Sequence, residues 1–397
     1  MKSYDAIVIG GGVIGTSVAY YLSKKGVKVA LIERDDIGAG AAGRSLGNIK
    51  ISDKRPGVET KIAYESQLLF KELANEISYN FDYAQRGSLY IIENEEELKV
   101  AKDYVKRQVE DGYPMRIMDK SEILNNEPYL AKDIIGAIET DCDASVNPMA
   151  LAFGLSLEAK KNGVDIFEYT SVKDIRLNNK RVVKTVITDE EKLITKYAIN
   201  CAGVWAPEIG NIVGINIPII PEQGQTLVSE KTFQVGKRNI VEFSRLMHKF
   251  GYKNYKRKVS TELERLRIGF VFQVTKANNF LIGASNAFVG FDNHASIEVM
   301  RGLAKRAIRF FPIIKDINII RAYAGLRPYV QDNMPIISKV EEIPGFYIAA
   351  GHGDKGICLS LFTGKLISQM ITGEETIIPT DFLSIQRFEK SKTENHY

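Results

Sequence analysis

Apolar positions recur along this chain with two spacings, and the first fifty residues contain both. Residues 4–9 (YDAIVI) form a nearly unbroken apolar run, as expected of a strand buried on both faces. Residues 14–25 carry Ile14, Val18, Tyr21 and Leu22 at helical spacing, and residues 27–33 (VKVALIE) form a second apolar run that ends in an acid. Residues 56–129 are helical and charged in pattern, with 83–92 (YAQRGSLYII) predicted as an embedded pair of strands. Residues 149–162 predict a helix and 164–169 a strand. Residues 270–274 and 279–284 predict an antiparallel pair turning at 276–278.

Between the first strand and helix, Gly10-Gly11-Gly12-Val13-Ile14-Gly15 satisfies G-x-G-x-x-G, and Glu33 stands eighteen residues past Gly15. The unit of strand, glycine loop, helix, strand and acid is the pattern of a dinucleotide site. Gly10 permits the tight turn, Gly12 lets the backbone approach a pyrophosphate, and Gly15 allows close packing of helix on strand. The helix N-terminus at Val13 and Ile14 faces the anion. Glu33 can accept both ribose hydroxyls and would repel a 2′-phosphate, which disfavours NADP.

A second loop of small residues, 38–50 (GAGAAGRSLGNIK), follows the acid-terminated strand directly. Here the chain resembles the flavin-dependent amine and amino-acid oxidoreductases of the D-amino-acid oxidase superfamily, with glycine oxidase, sarcosine oxidase and proline dehydrogenase β-subunit-like members. Further matches follow in family order. Residues 139–148 place Asp143, Val146 and Pro148 at polar, apolar and proline positions of a loop returning to the cofactor domain, and 171–175 (SVKDI) resembles the segment that brackets the adenine. Residues 196–205 (KYAINCAGVW) resemble the strand and small-residue loop under the cofactor, and 221–225 (PEQGQ) a P-x-x-G-Q element. Residues 321–328 (RAYAGLRP) with 332–337 (DNMPII) resemble G-L-R-P…D-x-x-P, and 345–356 (GFYIAAGHGDKG) the last strand and loop before a helix reaching about Ile371.

The resemblance implies an α/β and α+β architecture. A discontinuous Rossmann-type FAD domain of 1–55, 145–220 and 320–390 would be interrupted by an antiparallel-sheet substrate domain of 56–144 and 221–319, leaving a flexible tail at 391–397. It implies noncovalent FAD held by Gly10, Gly12, Val13, Ile14, Gly15, Glu33, Arg34, Arg44, Ser45, Gly47, Asn48 and Val172 in the first half of the chain. Ala202, Gly203, Trp205, Gly325, Arg327, Gly351, Gly353, Asp354, Lys355, Gly356 and Ile357 complete the expected set. No cysteine or histidine suits covalent attachment, with Cys358 expected inside the last helix.

For chemistry, the resemblance implies oxidation of a small amino acid or secondary amine to an imine by hydride transfer to flavin N5, with proline, hydroxyproline, sarcosine, glycine or a D-amino acid as the substrate class. Such a reaction needs orientation, a dry pocket and cations for the substrate carboxylate more than it needs a base. Arg327 is the first such cation, forking onto the carboxylate. Lys355 and Lys50 follow, although the family pattern carries arginine where Lys50 stands. His352 is set near the flavin. The superfamily also contains oxidisers of 2-hydroxy acids and glycerol phosphate, which require a base for the hydroxyl proton, and His352 is the candidate. A third reading is a flavin-carrying subunit of a larger amino-acid dehydrogenase. Residues 280–292 hold no lysine where sarcosine oxidases carry an oxygen-activating one, which points toward a dehydrogenase with another acceptor. Tyr252, Tyr255 and Phe272 are read as core in preference to pocket wall.

Composition narrows the remaining classes. With 397 residues, 45% hydrophobic and 26% charged, the chain is long enough for two or three domains and too apolar for wholesale disorder. A net charge of +4 demands neither nucleic acid nor an anionic membrane. Cys142, Cys201 and Cys358 are far apart, and His248, His294 and His396 lack ligand spacing, so no metal site is expected. No apolar stretch reaches 18 residues, which leaves peripheral membrane contact open, and the short N-terminal run is no signal core, so a cytoplasmic protein is expected. The densest basic run, 249–258 (KFGYKNYKRK), with five cations in ten residues, is read as a solvated loop. It could serve docking of an electron-acceptor subunit; a homo- or hetero-oligomer is expected.

Overall fold

Parallel strands buried on both faces need helices on each side, and the N-terminal third supplies the first of them. In the computed structural model, which describes residues 1–388, the strand Ser3–Ile9 leads through the glycine loop into the helix Val13–Lys24 and back to the strand Val29–Ile32. These strands run parallel in register Ala6 to Val29 and Ile9 to Ile32. The sheet continues in the order Ile336–Lys339, Phe346–Ala350, Lys192–Asn200, Ser3–Ile9, Val29–Ile32 and Asp165–Phe167, with Val172–Leu177 and Val183–Thr188 as an antiparallel flap beside Lys192–Asn200. Its five parallel strands end together near Ile9, Ile32, Phe167, Asn200 and Ala350, a register that opens a crevice at their carboxyl ends.

The helix Val13–Lys24 packs on Pro148–Lys161 and Ser360–Thr372. Gly364 makes the second contact close, since a Cβ there would collide with Ser17. Pro148–Lys161 begins with proline in its first turn and is capped by Asn147, whose side chain accepts from the Ala150 amide at 3.2 Å.

The second sheet has the order Ile319–Tyr329, Ile220–Ser229, Phe280–Gly283, Val271–Val274, Asn239–Glu242, Ser88–Ile92, Gly136–Thr140 and Arg116–Asp119. Its core stacks Phe270 on Phe310 at 4.6 Å and sets Phe272 against Phe311 at 4.7 Å in a tilted pair, beneath the helix Ile297–Phe310. The two architectures match the expected α/β and α+β combination.

Three details differ from the expected elements. Residues 83–92 hold one strand, because Gly87 sits at φ +72° against the Thr140 carbonyl and turns the chain, while Ala84 bridges to Ser145. The second sheet is not wholly antiparallel, for Asn239–Glu242 and Ser88–Ile92 run parallel. The strand Ile319–Tyr329, expected at the return to the nucleotide domain, belongs to the second sheet, pairing along its length with Ile220–Ser229. The tail expected at 391–397, with His396, lies outside the described residues. Among the described residues no helix is long and apolar enough to cross a membrane, and no cluster of three or more metal-ligating side chains forms.

Candidate active site

A cavity of about 1090 Å³ runs from the carboxyl ends of the parallel strands to the face of the second sheet. That exceeds the ~300–1,000 Å³ typical of single small-ligand clefts and leaves room for a large and a small ligand together.

At the first end the walls are mostly backbone. Gly10, at φ +110°, donates from its amide to the Ile32 carbonyl at 2.8 Å, and a Cβ there would lie 2.6 Å from the Cys201 carbonyl oxygen. Gly12 starts the helix without a side-chain cap, and a Cβ on it would meet no protein atom within 4 Å and project into open cavity. Val13 and Ile14 line the same opening. Gly15 faces inward, and a side chain there would collide with the Gly10 carbonyl. Glu33 is fixed by its own loop, with Oε2 accepting from the Gly11 amide at 2.5 Å and Oε1 from the Asp35 amide at 2.9 Å, which leaves the other lone pairs toward the cavity.

Arg34 lies over the Trp205 ring at 4.0 Å, and Phe291 stacks on the same indole at 6.0 Å, so segments far apart in sequence form one wall. Val172, Ala202, Gly203, Arg44, Ser45, Asn48 and Gly325 also line the cavity. Gly203 has φ +57° and Gly353 φ +55°, and a Cβ on either would meet nothing within 4 Å. An uncapped helix start and glycines whose absent side chains leave the cavity open are the cradle that a bound dinucleotide needs, so these residues fit FAD.

Gly47 and Gly351 do not line the cavity. A Cβ on Gly47 would collide with the Val146 carbonyl, and one on Gly351 with Val330, so both are glycine for packing reasons. Asp354, Gly356 and Ile357 do line it. Cys358 also reaches the wall, but from the turn before the helix Ser360–Thr372 and not from within it, with Sγ donating to the Lys50 carbonyl at 3.5 Å.

At the second end the walls are side chains. Arg327 lies flat against Gly224, where a Cβ would collide with the guanidinium, and its Nη1 donates to the Ser285 carbonyl at 3.0 Å with Glu222 3.5 Å away. Lys50 is largely buried, 3.6 Å from Asp53 and 5.7 Å from the Tyr90 ring centroid.

Lys355 corrects the sequence reading. It does not line the cavity; its ammonium is buried against Glu59 at 3.2 Å and donates to the Asn333 carbonyl at 2.7 Å, so its charge is already matched. His352 lines the cavity, but its Nε2 is 2.9 Å from the Thr363 hydroxyl, and burial together with the nearby Lys355 charge drives its pKa down to about 3. A neutral imidazole of such low basicity is a poor general base.

Sequence reasoning missed Asp53, Lys54, Tyr90, Arg245, Lys249 and Asn286, all on the cavity wall. Burial opposes ionisation of Asp53, but Lys54, Lys50 and Lys249 outweigh it and hold the carboxyl well below the usual range. Burial, with Lys54 and Lys355 adding repulsion, pushes the Lys249 ammonium down to about 8 against the attraction of Asp53 and Asp354. The segment 249–258 is therefore not a uniformly solvated loop. Lys249 reaches the cavity and donates to the Asp53 carbonyl, and Arg257 is buried in ion pairs with Glu242 and Glu264. The available signal was the spacing of Arg245 and Lys249, four residues apart, which aligns two cations on one face of the short helix Leu246–Lys249. The missing lysine of 280–292 does not leave the cavity without lysine, since Lys50, Lys54 and Lys249 enter from other elements. Tyr255 and Phe272 are core and Tyr252 is exposed, none of them on the wall.

Known proteins resemble this chain in sequence and in fold. The chain is 27% identical to hydrogen cyanide synthase subunit HcnC of Pseudomonas aeruginosa, over 96% of this chain and 94% of that protein. It is 28% identical to glycine oxidase of Bacillus subtilis, over 98% of each. The crystal structure of L-proline dehydrogenase from P. horikoshii superposes with a TM-score of 0.88 over 98% of this chain and 99% of that one, at 24% identity, a likeness of fold. The family model described as FAD dependent oxidoreductase, DAO, matches residues 5–370. With a dinucleotide cradle at one end of its cavity and a cationic chamber at the other, the chain belongs to the DAO family of FAD-dependent oxidoreductases.

Proposed function

We propose that this enzyme oxidises a carboxylated amine, an amino acid or a secondary amine such as proline, sarcosine or glycine, to the imine, which water then hydrolyses. The observation that carries the reading is Arg327, a guanidinium seated on Gly224 at the cavity wall and matched only by a carbonyl and a carboxylate 3.5 Å away. It can fork onto a substrate carboxylate and so fix the neighbouring carbon. FAD, bound noncovalently along the glycine turn, Glu33, Val172 and the 353–357 loop, would supply the two-electron acceptor.

The protein's own part is binding and proton management. The substrate carboxylate sits on Arg327, and the amine enters as the neutral form, so that its lone pair closes the C=N bond as the hydride leaves carbon. Lys249, with its pKa near 8, loses its proton as pH rises through that value, so the positive charge facing a carboxylated substrate falls there. Oxidation of an alcohol would need a base for the hydroxyl proton, and His352 accepts one only near pH 3. That weighs against the hydroxy-acid reading. HcnC is by name a subunit, which supports a partner subunit as the electron acceptor of this enzyme.

The test is an anaerobic absorbance titration of the holoenzyme with glycine, sarcosine, D- and L-proline, hydroxyprolines and D-alanine, followed by air. Bleaching by an amine supports the reading, and slow recovery in air supports an acceptor other than oxygen. Bleaching by a hydroxy acid or glycerol phosphate alone would overturn it.

A further inference from the structure

The second end of the cavity holds more positive charge than one carboxylate requires. Lys50, Lys54, Arg245, Lys249 and Arg327 all line it. The carboxylates nearby are Asp53, in contact with Lys54 and 3.6 Å from Lys50, Asp354 on the wall, and Glu222, 3.5 Å from Arg327. Five cations against three carboxylates leave two positive charges unmatched. Lys355 is not counted among these cations, since it stands off the cavity wall and shares Glu59 with Arg55.

The unmatched charge is localised. Among the described residues, neither Arg245 nor Lys249 forms an ion pair; Arg245 donates to the neutral Asn286 amide oxygen and Lys249 to the Asp53 backbone carbonyl. Lys249 lies in the fields of Asp53 and Asp354, and Arg245 in those of Glu242, Arg257, Arg327 and Asp354, with Glu242 itself already paired to Arg257 and Arg306. Arg245, like Arg327, is seated on a glycine: a Cβ on Gly269 would collide with its side chain, as one on Gly224 would with Arg327. The two guanidinium groups come from different elements, Arg327 from the strand Ile319–Tyr329 and Arg245 from the turn before Leu246–Lys249. A cation withdrawn from water without a partner is costly, and the arrangement persists most easily if a ligand completes it.

We propose that the substrate is a dicarboxylic amine or amino acid, one carboxylate held by Arg327 and the second by Arg245 with Lys249. This rests on the amine-oxidation reading above and names its substrate class. The two carboxylates of a diacid would cancel the excess of two charges, whereas glycine or proline, held on Arg327, would leave Arg245 and Lys249 without a carboxylate.

The experiment has a binding arm and a reduction arm, both on the holoenzyme at fixed ionic strength. Succinate, malonate, acetate and propionate are titrated by calorimetry and by perturbation of the flavin spectrum. The dianions should bind at least tenfold tighter than the monoanions. Iminodiacetate and D- and L-aspartate and glutamate are then compared with glycine, sarcosine and proline for anaerobic flavin reduction. At least one diacid should exceed every monocarboxylic amine by tenfold or more in kcat/KM, and Arg245→Met should shrink that ratio by tenfold or more, with Arg245→Lys restoring part of it.

Equal affinity for mono- and dianions overturns the proposal. Reduction led by a monocarboxylic amine overturns it while leaving amine oxidation standing. Reduction by glycerol phosphate or a hydroxy acid with no response to any amine overturns both. Should Arg245→Met fail to fold, Lys249→Met is read by the same ratio of dianion to monoanion affinity, and an unaltered ratio counts against the proposal.

Discussion

The two ends of one cavity are built by different means. At the nucleotide end, one contiguous run from Ile9 to Glu33 supplies the turn, the helix start and the acid, and most of the contacts on offer are backbone. At the other end, Lys50, Tyr90, the pair Arg245 and Lys249, Asn286 and Arg327 come from five separate segments of the chain, and the contacts on offer are charged or polar side chains. A backbone site depends on what glycine permits sterically. A side-chain site depends on charge balance, so its substitutions should alter affinity and pH response more than the fold.

Substitutions at the first end should therefore be the most damaging. Gly15→Val drives a branched side chain into the Gly10 carbonyl, and the expected outcome is loss of bound FAD with destabilisation beyond about 3 kcal/mol, read by flavin absorbance per protein and by thermal unfolding. If a Gly15→Val protein keeps its flavin, the backbone account of that end fails.

Lys355 sharpens the comparison, because it belongs in sequence to a cofactor loop but in space to a buried ion pair. Lys355→Met should cost about 1.5–3 kcal/mol through the lost hydrogen-bonded charge pair, since Glu59 keeps its ion pair with Arg55, with unfolding in denaturant as the measure. A change in substrate KM at undiminished stability would return Lys355 to the substrate site.

Arg327→Ala should lower kcat/KM for a carboxylated substrate about 100-fold, roughly 2.7 kcal/mol of transition-state binding, with FAD content intact. Loss of flavin in place of the KM effect would move Arg327 to the nucleotide end.

At neutral pH the smallest effect is expected at His352, whose contribution appears only in acid. Its folded pKa of about 3 lies below the unfolded value of 6.5, so the unfolded chain binds the extra proton first. Stability should be unaffected by this group above pH 6.5 and fall by up to about 1.4 kcal/mol per pH unit from there toward pH 3. His352→Asn should flatten that part of the profile in urea unfolding measured from pH 7 to 4. An unaltered slope would show that the imidazole is free to protonate in the folded state.

Legibility followed the same division. The glycine turn and Glu33 were readable because strand, loop and helix are neighbours in sequence, and the helical and apolar periods fix which way each faces. Gly47 and Gly351, read as cofactor contacts, stand off the cavity wall where a Cβ would meet Val146 and Val330, since sequence records that a side chain is missing and not what stands in its place. Lys249 and Arg257, read as part of one basic run, point to different places: the first into the cavity, the second into a buried pair with Glu242.

The sequence by itself determined the dinucleotide unit, the family, the FAD cofactor and the presence of Arg327 at a motif position, because each rests on local order and spacing. Only the tertiary structure decided which cations share a chamber and which are already neutralised. Lys355 was removed from the site by Glu59, 296 residues earlier in the chain, and Arg245 and Lys249 were brought into it. Coulomb energy depends on distance in space and on exposure to water, and neither is a function of separation along the chain.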